Sequence, residues 1–576
     1  MCRSTTPGTS NYQKERQHTS SGSKWKRLSQ QSKKVIETSR KRLTSYKGRL
    51  EKPANKYIRW NLLFTFLILL FLTSAIWIPC IPMVQKVSME IAVLVMIILH
   101  FLWLIALFNN LRYLIRLRCY KSHAIDLEKS ITNSKVVKHL VGICFYKEPI
   151  ELMIDTLNSI AVQPDATQKI SVAVGLEQGT PEKEKKEAEL YARFQSRFER
   201  FYVTIHPKNL PGDIPGKCSN FNYSSRKAVK LLREDEDYGY GPGMEILVTT
   251  GDCDTIFGGR YFDALEEDYW KLQPEARHRT VWQSPLFYCI NLDKSPFFVR
   301  VTGLLRAFFM MGYLIPMNIN TMSVFSLTLK LYEDGEYTHP GYQMDDIIAL
   351  IRWTCSIGQK ITIRMIPVAT LSGPTSGTTY LNELYEWARQ IRRWTIGAAE
   401  VFHYFMIKSN TLPFMTSITW AVRFLFYYGF VLCIGSLYPI IAPFTTVEFL
   451  ILTNHPVEGL LIPNQSTFQL ILLGLFIVQY FWFLSIFLVN KLAEAVFPDG
   501  RKDETGFIRN IFHWMMCWPT ITAYCIIEMA AFFEVTFRGK DVCSHNASKK
   551  DGLVQKKSAA VHPISIIPDR KDPFVV

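Results

Sequence analysis

Two blocks of apolar sequence bracket a middle of ordinary soluble composition, and no wholly water-soluble fold accommodates them. Residues 60–79 and 91–111 toward one end, and 414–434 and 468–489 toward the other, are each about 20 residues long and almost free of charge, the length that crosses the hydrocarbon core of a bilayer. A cleaved signal peptide would be shorter and would begin near residue 1. The stretch 438–452 reads as a weaker span because Pro443 and Glu448 interrupt it. The last apolar stretch, 507–535, contains Pro519 near its middle, which breaks a helix into two limbs that either cross together or dip in and return. Arg538, Lys540, Lys549, Lys550, Lys556 and Lys557 beyond it favour the return, since Lys and Arg mark cytosolic ends.

Charge points to the same orientation. The formal net charge is +16, and residues 1–57 carry 15 Lys or Arg against three Glu. That tail has too few large apolar residues to offset the entropy of ordering and is expected to be disordered. Arg112, Arg116, Arg118 and Lys121 follow the second span, so the hairpin and the middle of the chain are expected on the cytosolic side. Anionic lipid is the partner such charge implies; no nucleic-acid module accompanies it, and no nucleic acid is expected. The twelve cysteines lack the paired spacings of zinc sites or disulfide frameworks. The chain thus divides into a basic tail (1–57), a transmembrane hairpin (58–112), a soluble domain (130–400), C-terminal transmembrane and interfacial helices (410–536) and a second basic tail (537–576).

Between the spans, short apolar runs alternate with amphipathic stretches, the pattern of an α/β domain with a mostly parallel sheet. Strands are predicted at 140–146, 170–176, 202–205, 246–250, 281–287 and 361–368, and a surface helix over 181–198. Ligands of such sheets bind beyond the carboxyl ends of the strands. Polar groups gather at those ends: Tyr146 and Glu148, then Glu177, then Lys217 and Asn220, then Asp252-Cys253-Asp254. Alternate residues of an extended segment share a face, so Asp252 and Asp254 can converge on one hard cation that also holds phosphate. By itself a strand ending in Asp-x-Asp is more often a solvated turn; two motifs further along the chain tip the balance. The run 297–331 is apolar and aromatic, charged only at Arg300, Arg306 and Lys330, and reads either as a pair of core helices or as an amphipathic element at the membrane face.

Downstream of the paired Asp come Gln343-Met344-Asp345-Asp346-Ile347 and then Gln390-Ile391-Arg392-Arg393-Trp394. In that order these motifs resemble the membrane-embedded family 2 glycosyltransferases, which include the cellulose, chitin and hyaluronan synthases; the resemblance covers residues 138–397. It implies an α/β, GT-A type nucleotide-sugar-binding domain flanked by transmembrane helices. It also implies a nucleotide-sugar donor, foremost a UDP-sugar, a glycan acceptor, and Mn²⁺ or Mg²⁺ held through Asp252 and Asp254. Asp346 aligns with the family's general base; Asp345 stands where the family carries the longer Glu, which leaves both carboxylates as candidates. Gln390, Arg393 and Trp394 would lie under the diphosphate and acceptor, and Lys217 and Asn220 near phosphate. Tyr146, Glu148 and Glu177 would surround the base and ribose, Glu177 replacing the family's usual Asp. The plain alternative for 390–394 is an amphipathic helix that sets Arg and Trp at a membrane interface. The implied activity is inverting transfer of a sugar to a growing polysaccharide, with or without export through the chain's own helices, in the plasma membrane or an endomembrane. The alternatives are single-sugar transfer to a lipid carrier, and a non-catalytic receptor or transporter, for which Arg423 and Glu528 are the ionisable residues in the spans.

Overall fold

The computed structural model describes residues 58–120, 136–214, 216–288, 290, 292–374, 377, 379–496 and 503–539. The expected tails, 1–57 and nearly all of 537–576, lie outside the described residues. Helices α1 (Asn61–Leu72) and α2 (Ser88–Cys119) stand where the hairpin is expected. The first is shorter than predicted: 12 residues make about 18 Å, against the 30 Å of a hydrocarbon core. It ends at Thr73, whose hydroxyl donates to the Leu69 carbonyl (2.7 Å), and a separate turn, Ser74–Trp77, leads toward Pro79, before which helical backbone is disfavoured.

The middle of the chain is the predicted α/β domain. Its strands are β1 (Val136–Phe145), β2 (Ile170–Glu177), β3 (Arg200–His206), β4 (Met244–Gly251), β5 (Ile256–Phe257), β6 (Thr280–Gln283), β7 (Leu286–Tyr288), β8 (Phe325–Thr328), β9 (Thr362–Met365) and β10 (Thr370–Ser372). Helices α3 (Ile150–Ala161), α4 (Lys183–Phe194), α5 (Lys217–Glu234) and α6 (Tyr261–Lys271) connect the first six. The main sheet has the order β3-β2-β1-β4-β8-β6-β9, and a small second sheet runs β5-β10-β7. In β1 and β2 residues of both parities are buried, as in Leu140, Val141, Val172 and Ala173, which is why they read as continuous apolar runs. The register pairs Ile143 with Gly251 and Phe145 with Leu176, so β1, β2 and β4 end at one rim and deliver Tyr146, Glu177 and Asp252 side by side.

The sheet is more mixed than predicted. The strand β8 runs antiparallel to both β4 and β6. It lies inside the apolar run 297–331, where strand and buried helix have the same composition. The predicted strand 281–287 is two strands of different sheets, separated at Ser284-Pro285, where proline removes a ladder donor.

Of the two readings of 297–331, neither is complete: α7 (Phe297–Phe309) continues through a π-helical turn, Met310–Leu314, and the chain then enters β8. The helix packs against α2 and against α9 (Tyr380–Lys408), α12 (Gln465–Val496) and α14 (Cys517–Arg538); α8 (Asp345–Ile357) precedes β9, and α10 (Phe414–Phe424) and α11 (Tyr438–Leu452) follow α9. Among the described residues five helical stretches are long and apolar enough to cross a membrane: Gln85–Cys119, Phe297–Leu314, Phe414–Ile434, Gln465–Val496 and Cys517–Arg538. The apolar stretch at 507–535 is indeed two limbs, α13 (Phe507–Met515) and α14, but the break falls at Met516. Pro519 sits in the first turn of α14, where its missing N–H has no helical partner to lose.

Helix α2 lies tightly against the π turn. A Cβ on Gly312 would stand 2.8 Å from both the Cα and the carbonyl oxygen of Ala106, and Asn109 Nδ2 donates to the Gly312 carbonyl (2.9 Å). Gly312→Val is therefore expected to push α2 from α7 and cost about 1–3 kcal/mol, read as a lowered unfolding temperature of the detergent-solubilised protein.

Candidate active site

The polar strand ends meet in a cavity of about 170 Å³ at the sheet rim, to which α9 contributes Gln390, Arg393 and Trp394. Tyr146, Glu148, Glu177, Lys217, Asn220, Asp252, Asp345, Asp346, Gln390, Arg393 and Trp394 line it, which is every proposed site residue except Asp254. Local structure explains how they arrive. Glu148 turns back so that its carboxylate accepts from the Tyr146 N–H (2.6 Å). Asn220, in the first turns of α5, donates to the Gly175 carbonyl (3.1 Å) and ties the helix to β2. Gln390, Arg393 and Trp394 fall three and four residues apart in α9 and so share one face. Arg392 points elsewhere, with both ends of its guanidinium on Glu534 of α14 (2.6 and 2.8 Å), anchoring the helix that carries the motif.

Asp252 and Asp254 take different partners. The strand ends at Gly251, and a turn begins: the Asp252 N–H donates to Thr255 Oγ1 (2.9 Å) and the Thr255 N–H to the Asp252 carbonyl (3.0 Å). In a turn, alternation no longer holds. Asp252 faces the cavity, whereas Asp254 is buried beside it and accepts from the Ser372 hydroxyl (3.2 Å) and the Gly373 N–H (2.9 Å) of β10 and its exit.

The partner that Asp252 does find is Lys217. Its ammonium lies 2.8 Å from Asp252 and 3.1 Å from Asp345, at the first residue of α5. Burial alone would lower the Lys217 pKa, but Asp252, Asp345 and Asp346 outweigh it and raise it well above its usual value. Asp345 and Asp346 occupy the first turn of α8, where the helix dipole favours anions. Burial nonetheless raises both carboxyls; for Asp346 burial and then Asp345 lift it to about 7. At the other wall, burial and then Arg389 press the Arg393 pKa down. Acids that burial pushes toward neutrality and an arginine whose charge burial disfavours line one cavity, and an anion bound with its own cation suits both.

Among the described residues no three His, Cys, Asp or Glu side chains form a ready-made ion cage. The donor set still fits a divalent ion carried in with phosphates: such ions take one or two carboxylates and complete their shell with phosphate oxygens and water. Asp252 is placed to supply one, with the Lys217 ammonium holding the position of a cation between Asp252 and Asp345.

Glu177 is fixed from behind. His206 holds it by Nδ1 (3.0 Å) and Asp213 by Nε2 (3.0 Å). Burial works against a charged imidazole, and the two carboxylates more than offset it, so the His206 pKa is raised. Two lining residues, Tyr288 and Arg306, carry no sequence motif. Arg306 was visible only as one of the few charges in the run 297–331; its guanidinium lies 3.5 Å from the ring centre of Trp394.

Arg306, Asp346 and Trp394 also line a second cavity, of about 110 Å³, set among the long apolar helices. Its walls are mostly aromatic and aliphatic, including Trp103, Phe483, Tyr427, Tyr428 and Tyr524, with Gln479 and Glu528 among the polar groups. Glu528 accepts from Cys433 Sγ (3.4 Å). Arg423 lies apart from both cavities and donates to the Met317 carbonyl (2.9 Å), a tether between α10 and the chain after α7.

No family model matches the sequence, and no curated protein matches it. Among solved structures, the chain is similar to the mannosyltransferase PcManGT from Pyrobaculum calidifontis in complex with GDP-Man and Mn²⁺, at 11% identity and a TM-score of 0.38, over 78% of this chain and 99% of that one. It is also similar to S. aureus TarS 1–349 in complex with UDP-GlcNAc (12% identity, TM-score 0.28, 56% of this chain and 93% of the other). A third is GalNAc-T7 with UDP, GalNAc and Mn²⁺ (11%, 0.26, 52% and 58%). Scores this low carry no weight for the chemistry, which the side chains themselves must supply.

Proposed function

We propose that the chain is a membrane-bound, inverting glycosyltransferase that moves a sugar from a nucleotide-diphospho-sugar, foremost a UDP-sugar, to the end of a growing polysaccharide. What carries the reading is the meeting of Asp252, Lys217, Asp346, Arg393 and Trp394 in one cavity that shares Arg306, Asp346 and Trp394 with a second cavity among the apolar helices. Lys217 and Arg393 are placed to take diphosphate charge, and Trp394 to offer its face to a sugar ring. Asp346 takes the proton of the acceptor hydroxyl as that oxygen bonds to the anomeric carbon; the bond from that carbon to the diphosphate breaks, and the nucleoside diphosphate leaves with the electron pair. Bound Mn²⁺ or Mg²⁺ would supply Lewis-acid stabilisation of the leaving diphosphate, with Asp252 as its first protein ligand and Asp254 behind it. Tyr146, Glu148 and Glu177, on the opposite wall, are the residues for base and ribose.

The aromatic second cavity favours an acceptor that threads away from the site between helices, and with it export. Its apolar lining also suits a lipid-linked acceptor, the second reading. Purified protein supplied with labelled UDP- and GDP-sugars plus Mn²⁺ or Mg²⁺ separates them: long product supports the synthase, a single sugar on lipid supports the second reading, and no product from any donor overturns both.

A pH dependence follows from Asp346. A base must be unprotonated, and a carboxyl raised to about 7 is protonated below that pH. kcat/KM without added excess metal is expected to fall about tenfold per pH unit below that limb. Saturating metal moves the limb to lower pH, because a nearby cation favours the carboxylate.

A further inference from the structure

At the Arg300 end of α7, a groove of about 570 Å³ opens between α2 and α12. Its walls are Leu107 and the outward-facing Phe481, Leu484 and Leu488 of α12, the last three each about half exposed or more. Only 22% of the most apolar stretch of α12 is buried within the protein, so this face meets the bilayer. Among the described residues, the only charged side chains lining the groove are two cations, Arg300 and Lys491.

Arg300 is almost wholly buried, at 1% exposure. It pairs with Asp503, donates to Asn510 Oδ1 (2.7 Å) and approaches His513 Nδ1 (3.2 Å), yet its Nε has no hydrogen-bond partner among the described residues. Lys491 Nζ donates to Glu494 (3.0 Å) and to the Asp503 carbonyl (2.9 Å). Beside this end lies α13, with Phe507, Ile508 and Phe512 exposed and His513 turned inward, the form of a helix that rests in the head-group layer.

We propose that this groove binds an anionic phospholipid, its phosphate taken at the Arg300–Lys491 end and an acyl chain laid along Phe481, Leu484 and Leu488. Lys491, about half exposed and with one N–H beyond those spent on Glu494 and the Asp503 carbonyl, is the donor that selects the head-group phosphate, and depth in the bilayer selects a lipid over a soluble anion. Because Arg300 and Arg306 ride on one helix, the lipid also steadies the element that holds Arg306 over Trp394.

The test is native mass spectrometry of the full chain in detergent, incubated with equal phosphatidylglycerol and phosphatidylcholine of matched chains and with no sugar donor, so the result is independent of sugar transfer. The wild type is expected to retain phosphatidylglycerol about fivefold over phosphatidylcholine, the size of one cation's effect at a membrane surface. Lys491→Glu should abolish the preference, and Leu488→Trp should lower retention by filling the groove; both side chains are about half exposed, so neither change disturbs the core. Equal retention of both lipids by wild type and Lys491→Glu, retention unchanged by Leu488→Trp, or displacement by millimolar glycerol 3-phosphate would each overturn the proposal.

Discussion

Asp346→Asn is expected to lower sugar transfer by about 10²–10⁴-fold, the contribution of a positioned general base, while donor affinity stays nearly unchanged. The amide keeps the shape of the carboxyl but has no lone pair basic enough to accept the acceptor's proton. The backbone around it should hold, because the Thr321 hydroxyl donates to the Asp346 carbonyl (2.7 Å) whatever the side chain. Asp345→Asn is the informative comparison. Asp345 is 3.1 Å from the Lys217 ammonium, so its loss disturbs the charge balance under the diphosphate and should appear first as weaker donor binding. Turnover of a labelled nucleotide sugar, measured beside equilibrium binding of the same donor, distinguishes the two. If Asp345→Asn abolished turnover at normal affinity and Asp346→Asn did not, the base would be Asp345.

Lys217→Met is expected to destabilise the metal-free protein by about 3 kcal/mol, with part of the loss restored by Mn²⁺. The ammonium lies between Asp252 and the buried Asp345, and removing it leaves carboxylates that burial already penalises without their counter-charge. The value lies at the low end for a broken buried pair because Asp252 is about one-third exposed and partly screened by solvent. A divalent cation drawn to the same oxygens replaces the missing charge, so the unfolding temperature of the variant should rise with Mn²⁺ more than that of the wild type. A variant as stable as the wild type, with no greater response to Mn²⁺, would remove the argument that these carboxylates are built around a cation.

Much of the site was legible along the chain. Tyr146, Glu177 and Asp252 follow continuous apolar runs, and such runs are buried parallel strands that end at a common rim, so their polar successors had to meet. Gln390, Arg393 and Trp394 fall at helical spacing and share a face wherever the helix lies. The geometry of Asp252 and Asp254 was not legible, since alternation depends on the strand continuing, and a hydrogen bond from the Asp252 N–H to Thr255 ends it. Nor was β8: Phe325–Thr328 is apolar on both faces, and only its pairing with β4 and β6 makes it a strand.

What the amino-acid order determined alone is whatever short-range periodicity and segment length encode: the apolar helices, the parallel core of the domain, and the polar groups at its rim. Tertiary structure alone decided that Lys217 stands between Asp252 and Asp345, that Arg306 covers Trp394, and that Asp254 turns into the protein. Those contacts join residues far apart in the chain, and their energies come from burial and charge that exist only after the elements have packed.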